Sequence, residues 1–256
     1  MASQSTAKTD RVHPRAFFRL ALIFAMLGVI LPLHGLWRLF RLKSPWPTAF
    51  LKVAGRIAGA KVIVKGKPVK HNVLYIANHV SWLDILVLAG ETGSAFVAMA
   101  DMIDWPVLGW LAGLNNSVYV QRDNRLDVGA QRDAIQLALL KGQPITLFPE
   151  GTTANGLELL PFRSSLLATV APPPHGIIVQ PVAIDYGPIA PDIAWFEDSS
   201  VGENAMMVMS RPDRLAVTLH FLEPLDHSEF ANRKAMAEHS RAEIAAALFP
   251  AYSANP

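Results

Sequence analysis

The sequence predicts an α/β fold, a mixed and largely parallel sheet covered by helices, with an N-terminal membrane-associated helical segment in front of it. From residue 71 onward, short apolar runs typical of strands alternate with longer stretches typical of helices. Two of these apolar runs end in polar turns, as strands do where an open α/β sheet forms a ligand crevice. The chain that precedes them is both apolar and basic.

The predicted elements alternate along the chain. Strands are expected near residues 73–77, 95–99, 117–121, 144–148, 177–184 and 215–221. Helices are expected near residues 82–89, 105–113, 127–141, 163–170 and 229–248. The stretch from residue 188 to 214 has little periodicity and is expected to be a loop-rich connection.

Residues 1–70 are predicted to be a basic, apolar membrane-anchoring segment, followed by a catalytic domain over residues 71–256. Between Asp10 and Asp84 there is no acidic residue, whereas arginine and lysine recur throughout. The apolar segment from Leu20 to Trp37 would reach about 27 Å as a helix, slightly less than the ~30 Å hydrocarbon core of a bilayer. It could span a membrane or enter only one interface. Anionic lipid fits this combination better than nucleic acid.

Two shorter elements are expected between this segment and residue 71. The stretch from Thr48 to Ala60 has the pattern of an amphipathic helix, either packed on the core or lying on a membrane surface. Residues 61–67 alternate in the manner of an edge strand.

The composition limits the chemistry. The apolar fraction of 51% is high for a freely soluble protein. The chain has no cysteine, which excludes disulfides, a thiolate nucleophile and cysteine-bound metal. The histidines are scattered without the paired spacing of a zinc site, so no metal is predicted.

The polar turn after residues 73–77 holds a histidine and an aspartate, His79 and Asp84. Imidazole exchanges protons near neutral pH, and a carboxylate on its other ring nitrogen would orient it as a general base. The same spacing also fits a strand-end histidine beside a helix N-cap, so spacing alone leaves both readings open. A second apolar run breaks at Phe148 into a glycine-containing turn, and the two turns are expected to share one crevice.

Four motifs carry a family resemblance. His79 and Asp84 fit an H-x4-D box, and residues 148–152 read F-P-E-G-T. Residues 119–122 read as an aromatic-aliphatic-x-Arg block, and residues 179–182 as a V-x-P-[VI] strand. In this order the chain resembles the glycerolipid (lysophospholipid) acyltransferases typified by 1-acylglycerol-3-phosphate acyltransferase.

The resemblance implies a membrane enzyme, expected at the cytoplasmic face of a bacterial inner membrane. It would move a fatty acyl group from acyl-CoA or acyl carrier protein to lysophosphatidic acid, forming phosphatidic acid without a cofactor. His79 would take the proton of the acceptor hydroxyl and Asp84 would orient it. Ser81 is a rival nucleophile, but the chain has no G-x-S-x-G elbow and the family implies direct transfer. The residues expected to bind the acceptor are Arg122, Glu150, Gly151, Thr152, Thr153 and Arg163.

The sequence also allows a second interpretation of which lipid is the acyl acceptor. Thr153 stands where the family's E-G-T-R-S carries an arginine, which Arg163 could replace. The E-G-T-T form, followed by P-F-R-S-S, resembles a bacterial branch that includes lyso-ornithine lipid acyltransferases, whose acceptor carries an amino acid instead of a phosphomonoester. Lysophosphatidic acid is the first expectation because it is the family's commonest acceptor. A non-catalytic lipid-binding or membrane-tethering protein is a third reading, which the retention of both His79 and Asp84 disfavours.

Overall fold

The computed structural model describes residues 12–99, 117–120, 128–168, 170–195, 200–226 and 232–250. A seven-stranded sheet runs through these ranges in the order β1-β7-β6-β2-β5-β3-β4. Its strands are β1 Ala60–Gly66, β2 Val73–Ala77, β3 Ala95–Met99, β4 Val118–Val120, β5 Ile145–Leu147, β6 Ile178–Asp185 and β7 Leu215–Phe221. The predicted fold class is therefore confirmed, with each expected strand within two residues of its predicted bounds.

Most neighbouring strands run parallel. The pairs β1/β7, β6/β2, β2/β5, β5/β3 and β3/β4 are parallel, and β6/β7 is antiparallel. β2 and β5 lie side by side with Ile76 opposite Leu147. Their carboxyl ends therefore meet at one edge of the sheet, where the H-x4-D and F-P-E-G-T segments begin.

Helices cover both faces of the sheet. They are α1 Pro14–Leu39, α2 Trp46–Ala58, α3 Leu83–Thr92, α4 Val128–Leu140, α5 Ser164–Leu167, α6 Ala190–Ile193, α7 Val201–Ser210 and α8 Arg233–Leu248. Val73, Tyr75 and Ala77 of β2 face the core shared with α1, α3 and α7, whereas Leu74 and Ile76 face the core shared with α4 and α8. The helix expected near residues 105–113 lies outside the described residues.

One expected helix is shorter than predicted, and one expected loop contains helices. The helix expected near 163–170 is the four-residue α5. Directly beyond it, the backbone N–H groups of Ala168 and Val170 donate to carbonyls three residues back, at 3.3 and 3.1 Å, as in turns and not as in an α-helix. The expected loop-rich connection over residues 188–214 contains α6 and α7. α7 is stabilised by a capping box, in which the Ser200 hydroxyl accepts from the Glu203 backbone N–H at 3.2 Å and the Glu203 carboxylate accepts from the Ser200 backbone N–H at 2.9 Å.

α1 is long and apolar enough, by length and composition alone, to cross a membrane, and only 11% of its most apolar window is buried. The helix continues through Pro32. Its start is fastened to the domain because Arg19 donates to the backbone oxygens of Met209 at 2.9 Å, Arg211 at 3.2 Å and Ala58 at 3.4 Å. Large exposed apolar side chains of this helix are Phe17, Phe18, Leu22, Phe24, Val29, Leu36 and Leu39.

α2 packs on α3, as expected for an amphipathic helix that packs on the core; its position relative to a membrane stays a prediction. Its Phe50, Leu51 and Ala54 are buried, and its Lys52 forms a 2.8 Å ion pair with Glu91 of α3. β1 then pairs with β7 at the edge of the sheet. The division of the chain at residue 70 stays a prediction.

The close contact of α2 and α3 depends on Gly90. A Cβ atom added there would lie 2.7 Å from the Cα and 2.8 Å from the backbone nitrogen of Lys52. We expect Gly90→Ala to force the helices apart and to lower the free energy of unfolding by about 1–3 kcal/mol. Thermal or denaturant unfolding in a fixed detergent measures this loss.

The matched control is Gly28→Ala in α1, where an added Cβ meets nothing within 4 Å. That variant should be neutral or more stable by up to about 1 kcal/mol, since alanine favours the helix. Equal effects of the two substitutions would contradict the packing assigned to Gly90.

Candidate active site

His79 is held by its backbone from both sides. Its N–H donates to Glu150 Oε1 at 2.7 Å, and its carbonyl accepts from the backbone N–H of Ala154 at 2.7 Å. The turn that follows β5 therefore wraps around the residue that follows β2. Both predicted turns share one crevice, as the sequence indicated.

The Asp84 carboxylate lies at the first turn of α3 and has no exposed surface. Its Oδ2 lies 2.7 Å from His79 Nδ1 and accepts the backbone N–H groups of Val80 at 2.7 Å and Ser81 at 2.9 Å. Its Oδ1 accepts the hydroxyl of Tyr186 at 2.5 Å. Four donors and the positive end of α3 offset the cost of burying this charge.

The ring of His79 is oriented by a hydrogen bond to Asp84 and by stacking on Phe148. Nδ1 faces Asp84, so the Nδ1–H tautomer leaves the Nε2 lone pair available, and none of the described residues hydrogen-bonds Nε2. The ring stacks on Phe148 with centroids 4.2 Å apart and planes 9° from parallel, and Phe148 stacks in turn on Phe96. The side chain is 14% exposed. Such an imidazole can accept a proton from a hydroxyl group beside it.

Glu150 is the second buried carboxylate of the crevice, with 1% of its surface exposed. Both of its oxygens accept backbone N–H groups, Oε1 from His79 at 2.7 Å and Oε2 from Leu160 at 3.0 Å. Burial raises the pKa of Glu150 to about 7, and the nearby Asp84 charge acts in the same direction. Its contacts are thus within the protein, and the acceptor-binding role expected for it stays a prediction.

The rest of the predicted acceptor site lies along the same turn. Gly151 has φ +72°, and a Cβ there would lie 2.9 Å from Leu166 Cδ1 and 3.5 Å from Arg163 Cδ, so Arg163 runs beside this glycine. Arg163 is exposed and Thr152 is half-buried. The Thr153 hydroxyl donates to the carbonyl oxygen of Trp195. Arg122 lies outside the described residues.

Comparison with known proteins identifies the family. An acyltransferase family model matches residues 60–185. The lyso-ornithine lipid O-acyltransferase of Rhodobacter capsulatus is 33% identical over 225 residues, covering 83% of this chain and 78% of the relative. The lyso-ornithine lipid O-acyltransferase of Rhizobium meliloti is 36% identical over 214 residues, covering 78% and 73%. The chain is a lysophospholipid-family acyltransferase.

Two further comparisons bear on this acyltransferase. The 1-acyl-sn-glycerol-3-phosphate acyltransferase of Neisseria gonorrhoeae is 37% identical over 116 residues, which are 45% of each chain. The crystal structure of the 1-acyl-sn-glycerophosphate acyltransferase from Thermotoga maritima shares the fold, with a TM-score of 0.63, 21% identity and coverage of 94% of this chain and 99% of that one. The fold and the family resemblance predicted from the motifs are confirmed.

Ser81 is poorly placed to be a nucleophile in this acyltransferase. It has no exposed surface, and its Oγ accepts the backbone N–H of Leu83 at 3.4 Å. A thioester carbonyl could not reach this oxygen without rearrangement of the turn. The geometry therefore favours direct transfer to an acceptor over a covalent acyl-serine.

Sequence reasoning missed two residues of the acyltransferase site. Tyr186 contacts Asp84 from the end of β6, and Asn78 joins β2 to β6 by accepting the N–H of Ile184 at 2.7 Å and donating to its carbonyl at 3.0 Å. The signal for Tyr186 was its place just beyond the V-x-P-V strand. That signal is useful only when β6 is known to be the neighbour of β2.

The raised pKa of Glu150 predicts a pH dependence of stability. Between pH 4.5, the ordinary value, and about 7, the folded protein retains a proton at Glu150 that the unfolded chain has released. The contribution of Glu150 to the free energy of unfolding is therefore largest below pH 4.5 and is lost as the pH rises to about 7. Relative to Glu150→Gln, which does not titrate there, the wild type should lose about 3 kcal/mol. Denaturant unfolding of both proteins across this range measures the difference, and parallel curves would contradict it.

Proposed function

We propose that this acyltransferase is a lyso-ornithine lipid O-acyltransferase. It transfers a fatty acyl group from a thioester donor, acyl-CoA or acyl carrier protein, to the free hydroxyl of lyso-ornithine lipid. The observation that carries the proposal is the extent of similarity, because relatives with this activity in their names match over about three quarters or more of this chain. The relative from Neisseria gonorrhoeae, named for acylglycerol phosphate, matches 45% of it. This acceptor replaces lysophosphatidic acid as the first choice.

The turn after β5 supports an acceptor head group other than a phosphomonoester. Arginine binds phosphate through paired, charge-assisted hydrogen bonds. The family pattern places an arginine directly after E-G-T. Here that position is Thr153, a neutral side chain whose hydroxyl is tied to Trp195. Arg163, whose side chain runs beside Gly151, is the cation that the described part of the turn itself carries. A guanidinium at this place suits the carboxylate of an amino-acid head group.

The proposed step is a direct acyl transfer. The acceptor oxygen attacks the carbonyl carbon of the thioester while His79 Nε2 takes the hydroxyl proton, forming a C–O bond. The C–S bond then breaks, and the leaving thiolate takes a proton back from the imidazolium. Asp84 orients the ring and stabilises its charge, and such positioned bases contribute roughly 10²- to 10⁴-fold in rate. The products are the diacylated lipid and the free thiol.

The surroundings of His79 suit an acyl chain. The stack of His79, Phe148 and Phe96 leads into an apolar cluster that includes Phe50 and Leu51 of α2 and partly buried residues of α1. The exposed face of α1 is apolar. We place this face in a membrane, with the lysines and arginines of the front segment toward anionic head groups. Because acyl thioesters are cytoplasmic, the membrane face proposed is the cytoplasmic side of a bacterial inner membrane.

A non-catalytic lipid-binding protein is the competing class. Binding lipid requires no imidazole held by a buried carboxylate, whereas general-base chemistry does. The contact of 2.7 Å between His79 Nδ1 and Asp84 Oδ2 therefore favours the enzyme.

Acyl transfer to two acceptors tests the head group. Purified protein in detergent, given a labelled acyl donor, should acylate lyso-ornithine lipid at least about tenfold faster than lysophosphatidic acid, since one charge-assisted contact is worth ~1.5–3 kcal/mol. Both acyl-CoA and acyl carrier protein donors are supplied. A preference for lysophosphatidic acid would contradict the proposed acceptor but not the acyltransferase activity.

A histidine substitution tests the base. His79→Ala should lower acyl transfer by roughly 10²-fold or more, because it removes the proton acceptor. The variant should still unfold cooperatively and should bind vesicles of anionic lipid as the wild type does. His71→Ala, at an exposed histidine in the turn before β2, is the matched control and should keep full activity. Near-normal transfer by His79→Ala would show that another group is the base.

A further inference from the structure

Tyr186 is a buried tyrosine whose hydroxyl meets the charged centre of the site. It directly follows β6, is 3% exposed and belongs to the core that β2 shares with α1 and α3. Its hydroxyl donates to Asp84 Oδ1 at 2.5 Å. Both partners have almost no contact with solvent, so this hydrogen bond forms in a low-dielectric interior, where it is strengthened.

The two oxygens of Asp84 have unequal sets of donors. Oδ2 receives His79 Nδ1 and two backbone N–H groups, all from the segment that contains Asp84 itself. Oδ1 receives only Tyr186 among the described residues. Without this hydroxyl, one oxygen of a buried carboxylate would have no donor. Such an oxygen disfavours the charged form or lets the side chain rotate away from the histidine.

We propose that Tyr186 is a positioning residue for acyl transfer, which holds Asp84 charged and in the plane where it orients His79. The inference rests on the proposed role of the histidine as base and does not depend on the acceptor. Burial and the Asp84 charge raise the pKa of Tyr186 well above its ordinary value, so the phenol stays a neutral donor. Tyr186 itself needs no contact with the substrate.

The proposal predicts a change in the pH dependence of the reaction. The titratable groups around the Asp84 carboxylate in the described ranges are His79 at the end of β2, Glu150 after β5 and Tyr186 after β6. The phenol stabilises the state in which the carboxylate is charged and the imidazole neutral, which is the state that can act as a base. Removing it makes that state easier to protonate.

The test is Tyr186→Phe, which deletes one oxygen. We expect kcat to fall about 10- to 100-fold with KM within about twofold of the wild type, since hydrogen bonds to charged groups are the strong ones. The acid limb of the pH profile of kcat/KM should move to higher pH by about one unit. The assay uses whichever lysolipid the wild type acylates.

The matched control is Tyr75→Phe. Tyr75 is also buried, lies in β2 and donates its hydroxyl to the carbonyl of Val69, on the amino-terminal side of the strand. The same atom is deleted, so stability should fall by a similar amount, but kcat and the acid limb should keep their wild-type values. If kcat falls equally in both variants and the acid limb of the pH profile does not move, Tyr186 contributes only packing and the proposal is wrong.

A second variant keeps the test independent of folding. A monofluorinated tyrosine at position 186 preserves the packing and is a stronger donor, so it should move the acid limb to lower pH. An unmoved limb in this protein, or a wild-type profile in Tyr186→Phe, would overturn the inference. If His79→Ala is inactive while both Tyr186 variants behave as wild type, only the inference fails. If His79→Ala is active, the proposed base itself is wrong.

Discussion

The structure depends on the burial of one carboxylate. Asp84 has no exposed surface, and an isolated buried charge would cost several kcal/mol. The cost is offset because donors converge from His79, Val80 and Ser81 in its own turn, from Tyr186 beyond β6 and from the first turn of α3. These groups meet only when β2, α3 and β6 are assembled. The charge that orients the histidine therefore also links the elements that surround it.

A second carboxylate holds the same histidine from the other side. Glu150 accepts a hydrogen bond from the backbone N–H of His79. In the turn that follows, the backbone N–H of Ala154 donates to the His79 carbonyl. Phe148 of the same turn stacks on the imidazole ring. The F-P-E-G-T segment thus positions the histidine as well as bordering the crevice. Its glycine keeps the turn close to Arg163, where a side chain would clash with Leu166.

Much of this arrangement could be predicted from the sequence. Apolar runs of the right length located the strands, and two polar turns after strands predicted one crevice, because parallel neighbours end at the same edge. The elements that were missed depend on tertiary contacts. Tyr186 becomes part of the site only through the pairing of β6 with β2, and the internal contacts of Glu150 require the turns to be placed. The sequence pattern of a capping box is present at Ser200 and Glu203. α7 was nevertheless not predicted, because the apolar residues of this segment show little periodicity.

Asp84→Asn measures the central interaction most directly, through the rate of acyl transfer under single-turnover conditions. The substitution keeps the size of the side chain and removes the charge that stabilises the imidazolium of His79. The rate should fall by roughly 10²-fold or more at saturating donor and acceptor, in protein that still melts cooperatively and binds anionic vesicles. A rate within about twofold of the wild type would contradict the account, because the buried carboxylate would then serve the fold and not the reaction.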